Sequence, residues 1–454
     1  MAEHDLAIVG GGPAGQAAAL ALEGLGLDII VIDEQRAPGG QILRQPPPEF
    51  TVRNWLPHGY GWLKAQTAHF DRLAGVTWLG RHSVVDITAD AERFVLLADG
   101  CDGVRRIDAR RVLIAGGCQD VAVPVPGWTL PGVQAAGGIQ AFLKSQQIVA
   151  GSRFVFAGTH PLQLLIAAQV VAAGGTVAAV LFAQSRTAML RPMLSHPLVA
   201  LRHAATMRPA MTAWATLALA GVPVRFDATL ARIEGERGVT GVRVTNSAEI
   251  FACDTVGLNY GFVPQSALPR LAGAAMRPAG AAGGWAAVHD NWMRSSLPGL
   301  SVAGETVGVA GAPAAAAGGT LAGLGIAFDL GVMTAAEAAR RAAPVRARHR
   351  RLLGFAALLD RVADPRPWFP NVDDGTVICR CEDVCSGTLV GELSHGSANS
   401  IKLVTRCGMG PCQGRNCEPT LLRMLAAIGR TDDPGFTQRS PARPVSIASL
   451  ADPE

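Results

Sequence analysis

Six of the nine cysteines in this 454-residue chain lie between Cys379 and Cys417. Cys379 and Cys381 are separated by one residue, and Cys407, Cys412 and Cys417 follow as a second group. Four thiolates in two close pairs can hold a 2Fe-2S cluster or a zinc ion, and spacing alone leaves both open. Clustering of this kind favours metal or redox chemistry over structural disulfides.

A glycine-rich turn near the N-terminus could bind the pyrophosphate of a dinucleotide. The apolar run 6–9 leads into Gly-Gly-Gly-Pro-Ala-Gly at 10–15, which matches G-x-G-x-x-G, and a helix and a second apolar run follow. The glycines permit a tight turn, close approach to phosphate and helix packing, while an acid after the second run can bind a ribose. The residues predicted to bind this cofactor are Gly10, Gly12, Pro13, Ala14, Gly15, Asp33 and Glu34.

Three later segments favour FAD as the dinucleotide. They are the Gly-Gly-Gln-Ile run at 39–42, the apolar strand ending at 115–117 and the Ala-Gly-Glu turn at 303–305. They resemble the flavin-contacting pieces of the flavoprotein disulfide reductase superfamily, where an Asp usually stands in the position of Glu305. The resemblance adds these flavin-site residues: Gly40, Gln41, Ala115, Gly116, Gly304 and Glu305.

A second strand–turn–helix–strand pattern runs from 152 to 183, in the position of the superfamily's NAD(P)H domain. Its turn keeps Gly158 but has His160 and Gln163 where the other two glycines belong. We therefore expect no NAD(P)H binding here and a role in architecture and partner contacts. The isolated cysteines (Cys101, Cys118 and Cys253) also provide no Cys-x-x-Cys pair of the kind that disulfide reductases use.

The cysteine segment resembles the bacterioferritin-associated-ferredoxin-like (BFD-like) 2Fe-2S domain. The motif comprises Cys-x-Cys, then Lys402, Thr-Arg at 405–406, Gly-Met-Gly-Pro-Cys-Gln-Gly-Arg at 408–415 and Cys417. It is similar to the version fused to α subunits of bacterial hetero-oligomeric amine and imino-acid dehydrogenases, such as octopine and nopaline oxidases, D-hydroxyproline dehydrogenase and hydrogen cyanide synthase. Segments 124–133 and 261–264 also resemble this family, so the likeness covers nearly the whole chain. It implies four metal ligands, with Cys407 and Cys385 as competitors: Cys379, Cys381, Cys412 and Cys417.

The resemblance also implies a division of labour within an assembly. A β subunit of the glycine/sarcosine-oxidase type, with its own FAD, would oxidise a carbon–nitrogen bond of an amino acid, imino acid or opine. Electrons would pass through FAD and the 2Fe-2S cluster of this chain to a quinone or other acceptor. The resemblance leaves open a small 2Fe-2S γ subunit, and also an FMN at a subunit interface. Two alternatives also stay open: an NAD(P)H-dependent flavin/iron–sulfur reductase, and a redox-sensing or iron-handling module.

No catalytic residue is predicted, because the scattered histidines have no recognisable catalytic neighbours; they are His58, His160, His203 and His289. The net charge of +4 and the presence of only three lysines give no support to nucleic-acid binding. The uncharged stretch 162–183 is long enough to span a bilayer, but Gly-Gly at 174–175 favours a buried helix, turn and strand. We expect no membrane span and a cytoplasmic location, with peripheral attachment to the inner membrane left open.

The predicted fold is α/β: a two-dinucleotide-binding-domain, disulfide-reductase-like flavoprotein with a small helical BFD-like domain at its C-terminus. The apolar content of 49% suits large buried cores. The predicted boundaries are an FAD-binding domain at 1–120 and 245–330, an inserted dinucleotide-like domain at 121–244, a helical linker at 331–370, the BFD-like domain at 371–430 and a tail at 431–454.

Overall fold

Parallel strands form where the sequence has short, uninterrupted apolar runs, because such strands are buried on both faces. The computed structural model describes residues 3–47, 49–50, 60–90, 93–245 and 247–451. Its strands in chain order are β1 (His4–Val9), β2 (Ile29–Asp33), β3 (Val76–Gly80), β4 (Ser83–Ala89), β5 (Phe94–Gly100), β6 (Gly103–Ile114), β7 (Cys118–Asp120), β8 (Val133–Ala135), β9 (Arg153–Gly158), β10 (Thr176–Phe182), β11 (Val224–Arg225), β12 (Leu230–Glu234), β13 (Gly241–Val244), β14 (Ile250–Ala252), β15 (Thr255–Asn259), β16 (Phe262–Pro264), β17 (Met276–Pro278), β18 (Trp285–Ala287), β19 (Leu300–Val302), β20 (Val377–Cys379) and β21 (Val384–Cys385).

Helices connect and cover these strands. In chain order they are α1 (Pro13–Ala21), α2 (Gly61–Phe70), α3 (Ala136–Ala141), α4 (Leu162–Ala172), α5 (Arg186–Ser195), α6 (Pro197–Arg202), α7 (Ala204–Leu219), α8 (Ala267–Leu271), α9 (Ala312–Asp329), α10 (Ala335–Val362), α11 (Ser386–Glu392), α12 (Ala398–Thr405), α13 (Glu418–Ala427) and α14 (Ile447–Ala451). A π-helical turn, Phe142–Gln146, continues α3, and short 3-10 turns lie at Gly304–Val307, Arg366–Trp368 and Leu393–His395.

The first structural unit is built on a sheet with the order β3-β2-β1-β6-β5-β4, and β19 pairs with β6. In its parallel part, Ile8 of β1 lies opposite Val31 of β2 and Leu113 of β6. Helices α1 and α9 pack closely on one face of the sheet. A Cβ added to Gly319 of α9 would lie 2.0 Å from the Ala14 carbonyl oxygen. This packing fixes the position of the first glycine-rich turn.

The second unit has its own sheet, with the order β11-β10-β9-β15-β8. Strand β15 pairs with both β9 and β8, so this unit continues past residue 244, the end predicted for the inserted domain. The sequence-based boundary fell too early because β15 returns to this sheet after the antiparallel β12-β13-β14 excursion. The paired strands β7 and β16 lie at the crossings between the two units.

A 28-residue helix, α10, follows the first unit and corresponds to most of the predicted linker. Thr334 caps its N-terminus, and the Thr334 hydroxyl accepts a hydrogen bond from the Glu337 amide. Among the described residues, no helix is long and apolar enough to span a bilayer. The stretch 162–183 forms α4 and β10, as its glycine pair predicts.

The C-terminal module consists of the β20–β21 hairpin and helices α11, α12 and α13 around a small core. The segment beyond residue 430, predicted as a tail, takes part in this packing. The ring of Phe436 is fully buried in the module core. The Ala442 amide donates to the Val85 carbonyl of β4, 2.7 Å away, so the end of the chain returns to the first unit.

Candidate dinucleotide and cysteine sites

The first glycine-rich turn is shaped by backbone contacts that only glycine allows. Gly10 has a φ of 107°, and a Cβ there would lie 2.4 Å from the Ala115 oxygen. A Cβ on Gly15 would lie 2.0 Å from the Gly10 oxygen. By contrast, a Cβ on Gly12 would meet no protein atom closer than the Gly40 Cα, 3.7 Å away. The turn is therefore tight on its protein side and open beside Gly12, as a bound phosphate requires.

Asp33 at the end of β2 holds this turn directly. One of its carboxylate oxygens accepts from the Gly11 amide at 2.6 Å, and the other accepts from the Gln35 amide at 2.7 Å. Burial raises the pKa of this carboxyl, and the two amide hydrogen bonds oppose that rise. Glu34 points to the end of the chain, where it forms an ion pair with Arg443. The predicted ribose contact of these acids stays a prediction.

The Gly-Gly-Gln-Ile segment lies against the same turn. The Gly39 amide donates to the Gly11 oxygen at 3.0 Å, and Gln41 accepts a hydrogen bond from Arg44. The buried ammonium of Lys144, on the π-helical turn, donates to the Ile42 oxygen at 3.2 Å. Burial lowers the pKa of Lys144 to about 8. The second unit thus reaches the predicted flavin segment through Lys144.

The Ala-Gly-Glu turn completes this region from the C-terminal half of the first unit. A Cβ on Gly304 would lie 2.9 Å from the Ala14 Cβ. The carboxylate of Glu305 accepts from the Gly311 amide at 3.1 Å and from the Cys118 thiol at 2.8 Å. Burial, followed by the Glu305 charge, raises the pKa of that thiol well above its usual value.

The open groups around the first turn fit a flavin dinucleotide. The hydroxyl of Thr306 is fully buried and has no hydrogen-bond partner within the protein, so it is available to a bound group. A Cβ on Gly116 would approach nothing closer than Gln265, at 3.7 Å. Together with the open side of Gly12 and the N-terminus of α1, these groups could hold the phosphates and the adjoining polar chain of FAD.

The second turn has the same topology but is closed. A Cβ on Gly158 would lie 1.9 Å from the Asn259 oxygen. The Thr159 hydroxyl donates to the Ala363 oxygen at 2.7 Å, and Gln184 donates to the Thr159 oxygen at 2.7 Å. Gln184 also contacts the Val362 oxygen, so the carbonyl end of α10 lies on this turn. Because the C-terminus of a helix carries partial negative charge, it disfavours a pyrophosphate there.

The histidines named from the sequence have separate surroundings. His160 packs edge-on against Phe262, and burial lowers its pKa to about 4. His203 stacks on Phe355, and His289 contacts the Asp290 carbonyl. His58 lies outside the described residues.

Five cysteines converge in the C-terminal module. The sulfur atoms of Cys379, Cys407 and Cys417 lie within 4.8 Å of one another, and all three residues are buried. Cys381 is exposed, and its side chain lies next to that of Cys412. The thiols of Cys407 and Cys417 interact with Cys379 and hold its pKa far below the usual value. Thiolate donors of this kind suit an iron–sulfur cluster or zinc, so the residues fit either group.

This grouping bears on the choice of ligands. Cys407 lies in the buried group of three, although the predicted set contains Cys381 and Cys412 instead. The sequence names Cys407 as a competitor because it lies five residues before Cys412, and the structure keeps that alternative open. The thiol of Cys385 points to the Asp383 carbonyl, 3.9 Å away. The predicted set of four therefore stays a prediction.

The cysteine module is held on the first unit by contacts that no local sequence pattern indicates. Arg270 of α8 forms two hydrogen bonds of 3.0 Å with Glu418, the residue after Cys417. Arg270 also donates to the Phe436 oxygen at 2.6 Å. Both side chains of this ion pair are largely buried. The pair joins segments that are 148 residues apart, so only the folded chain brings it together.

Comparison with known proteins places the chain in a family. The family described as pyridine nucleotide-disulphide oxidoreductase matches residues 4–341. The chain belongs to this family. It is an oxidoreductase, and its α/β flavoprotein fold is confirmed by solved structures. L-proline dehydrogenase from P. horikoshii has a TM-score of 0.73 at 20% identity, covering 99% of this chain and 80% of that one. Thioredoxin reductase of T. acidophilum has a TM-score of 0.52 at 20% identity, covering 72% of this chain and 99% of that one.

Two similar relatives in this family match along the whole chain. One is an opine oxidase subunit from Rhizobium meliloti (strain 1021), which is 33% identical over 100% of this chain and 99% of the relative. The other is hydrogen cyanide synthase subunit HcnB of Pseudomonas protegens, which is 30% identical over 98% of this chain and 96% of the relative. The predicted family resemblance is confirmed at this level, whereas the identity of the metal in the cysteine module stays a prediction.

Proposed function

We propose that this chain is the FAD- and 2Fe-2S-containing subunit of a hetero-oligomeric dehydrogenase or oxidase that acts on a carbon–nitrogen bond. A partner flavin subunit of the glycine/sarcosine-oxidase type oxidises an amino acid, imino acid or opine, and this chain relays the electrons to a quinone or other acceptor. The names of the relatives support this reading, since each is a subunit of an oxidase or synthase. FAD accepts an electron pair, and a 2Fe-2S cluster passes electrons one at a time.

The observation that carries the proposal is a hydrogen-bonded path from the cysteine group to the predicted flavin segment. Gln119 donates to the Arg415 oxygen at 3.1 Å, two residues before Cys417. The side chain of Gln265 donates to the Gln119 side chain at 3.0 Å, and the backbone amide of Gln265 donates to the Gly117 oxygen at 2.9 Å. Gly117 directly follows Gly116, one of the residues predicted to contact the flavin. This path supports the proposed relay, because it would join the cysteine group to the predicted flavin site.

The closed second turn supports electron entry from a partner protein. In an NAD(P)H-dependent enzyme the second glycine-rich turn would have to receive a nicotinamide dinucleotide. Here the carbonyl end of α10 lies on that turn, and Thr159 is already bonded to Ala363. Electrons therefore enter this chain from the partner subunit instead of from NAD(P)H.

Cofactor analysis of the purified chain tests the first half of the proposal. We expect stoichiometric FAD, with about two iron atoms and two labile sulfides per chain. Serine substitution of Cys379, Cys381, Cys412 or Cys417 should remove the iron and leave the flavin spectrum in place. Cys385→Ser is the matched control and should retain both. Loss of iron in Cys407→Ser, with iron retained in Cys381→Ser or Cys412→Ser, would show that the ligand set is wrong; zinc in place of iron would refute the cluster.

Substrate-driven dye reduction tests the second half. The chain is co-produced with a candidate flavin subunit of the glycine/sarcosine-oxidase type and offered a panel of opines, imino acids and glycine. We expect dye reduction that needs both proteins and is lost in Cys412→Ser but kept in Cys385→Ser. Unchanged turnover without this chain contradicts a relay. Rapid anaerobic bleaching of its flavin by NADH contradicts entry from the partner and supports the reductase alternative.

A further inference from the structure

A row of leucines on α5 and α6 points away from the protein. Leu190 and Leu194 lie four residues apart on α5, and Leu198 and Leu201 lie three residues apart on α6, so each pair shares one face of its helix. Leu194, Leu198 and Leu201 are each between 76% and 80% exposed. A surface helix normally turns its apolar stripe inward, so this face is inverted relative to that rule. Contiguous exposed apolar surface of this kind marks an interaction site.

The neighbouring helix α7 continues the apolar character of this region. Met211 is 68% exposed and Leu219 is 91% exposed, and Trp214 is also partly accessible. The three helices are nevertheless ordered against the rest of the protein. His203 stacks on Phe355 of α10, and His196 contacts Arg361 of the same helix. The exposure of the leucines is therefore a property of the folded chain.

All formal charge within the segment that carries the leucine row is positive. Residues 186–219 contain four arginines and no aspartate or glutamate. Arg202 of α6 and the α10 arginines Arg350 and Arg351 line one groove together with Leu198 and Leu201. Guanidinium groups bind phosphate through paired hydrogen bonds. The region therefore combines exposed leucine side chains with neighbouring arginines that favour anions.

The geometry points to a docking surface for an anionic phospholipid bilayer on α5, α6 and the adjoining part of α10. We call it the leucine–arginine face and define it by these residues: Leu190, Leu194, Leu198, Leu201, Arg191, Arg202, Arg350 and Arg351. Leucines on short helices can enter the boundary between headgroups and acyl chains, about 5–10 Å deep, while flanking arginines bind the lipid phosphates.

A bilayer fits these observations better than a protein partner does. The leucines project from the helices with arginines beside them, and this uniformly positive charge complements the phosphates of an anionic lipid surface. The face also has no acidic group within 186–219 to pair with the mixed charges of a protein surface. This inference goes beyond the relay function, because it concerns where the enzyme works and needs neither cofactor.

Vesicle co-sedimentation of the purified holoprotein tests the proposal. The probes are phosphatidylcholine vesicles and vesicles with three parts phosphatidylcholine to one part phosphatidylglycerol. We expect binding to the anionic vesicles that weakens about tenfold in ~0.5 M salt and is at least about tenfold weaker on neutral vesicles. The triple variant Leu194→Gln/Leu198→Gln/Leu201→Gln and the double variant Arg202→Gln/Arg350→Gln should each weaken it about tenfold.

Matched controls lie elsewhere on the surface. Leu403 on α12 is 74% exposed, and Arg72 follows α2 in the first unit. Leu403→Gln and Arg72→Gln should bind vesicles as the unsubstituted protein does, and flavin absorbance should be the same in every variant. Equal sedimentation of the triple variant and the unsubstituted protein overturns the proposal. So does failure of the unsubstituted protein to sediment with anionic vesicles, which would indicate that a protein covers this face instead.

Discussion

The two glycine-rich turns of this molecule share a topology and differ in what lies in front of them. In each, a parallel strand leads through a turn into a helix and then into a second parallel strand. At Gly12 the space beside the backbone is open, whereas at Thr159 the end of α10 occupies it. The comparison teaches that one strand–turn–helix topology can present an open turn at one place and a closed turn at another, where a distant part of the same chain packs against it.

The largest effect is expected from filling the open turn. A Cβ at Gly12 meets no protein atom closer than 3.7 Å, so Gly12→Val should fold but block the approach of phosphate. We expect FAD affinity to fall roughly a thousandfold, about 4 kcal/mol, measured by flavin retention and fluorescence titration. The reciprocal change at the matched position, His160→Gly, should produce no NADH binding because α10 still covers that turn. Micromolar NADH binding by His160→Gly would break the comparison.

The two units also differ in how they hold the cysteine module. The ion pair between the first unit and the module, Arg270–Glu418, is largely buried, whereas the ion pair between the second unit and the module, Arg232–Asp373, is exposed. Arg270→Met leaves the Glu418 carboxylate buried without its partner, which should cost about 3 kcal/mol. Arg232→Gln should cost less than about 0.5 kcal/mol. Denaturant unfolding of the two variants measures both values, and equal losses would show that the exposed pair holds the module just as firmly.

We expect His160, in the closed second turn, to make the stability of the fold depend on pH in the acid range. Burial lowers the pKa of His160 from 6.5 to about 4, so the unfolded chain takes up the proton first as the pH falls below 6.5. The neutral ring therefore favours the fold above that pH, and this stability is lost between pH 6.5 and about 4. Because the residue keeps some exposure to solvent, we expect about 2 kcal/mol. Between about pH 7 and 4.5, the midpoint temperature of thermal unfolding should fall more steeply in the unsubstituted protein than in His160→Gln. An equal fall in both proteins would contradict this prediction.

Sequence reasoning found the difference between the turns but not its physical cause. The replacement of two glycines by His160 and Gln163 is visible in a local motif. The contact of Thr159 with Ala363 joins residues 204 positions apart, and no spacing rule predicts it. The same limit applies to Cys407, whose burial beside Cys379 depends on how α12 packs in the module. Local motifs therefore indicate which segments are candidate binding sites. Long-range packing decides which atoms of those segments are left accessible to a ligand and which are occupied by other parts of the chain.

The smallest expected effects come from a pair of threonines, one at each site. The Thr159 hydroxyl is bonded to the Ala363 oxygen, whereas the Thr306 hydroxyl is buried without a protein partner. Thr159→Val should lower stability by about 1–2 kcal/mol, because a buried carbonyl loses its donor. Thr306→Val should leave the stability of the flavin-free protein unchanged or raise it slightly, since a buried unpaired hydroxyl is itself unfavourable.

Flavin affinity should separate the two threonine variants in the opposite order. If Thr306 donates to bound FAD, Thr306→Val should weaken the flavin about fivefold, near ~1 kcal/mol, while Thr159→Val leaves it unchanged. Unfolding of the flavin-free proteins and titration with FAD provide the two measurements for each variant. Weakened FAD binding in Thr159→Val would contradict a purely structural role of the second turn. A loss of stability in flavin-free Thr306→Val would show that the Thr306 hydroxyl stabilises the protein without a ligand.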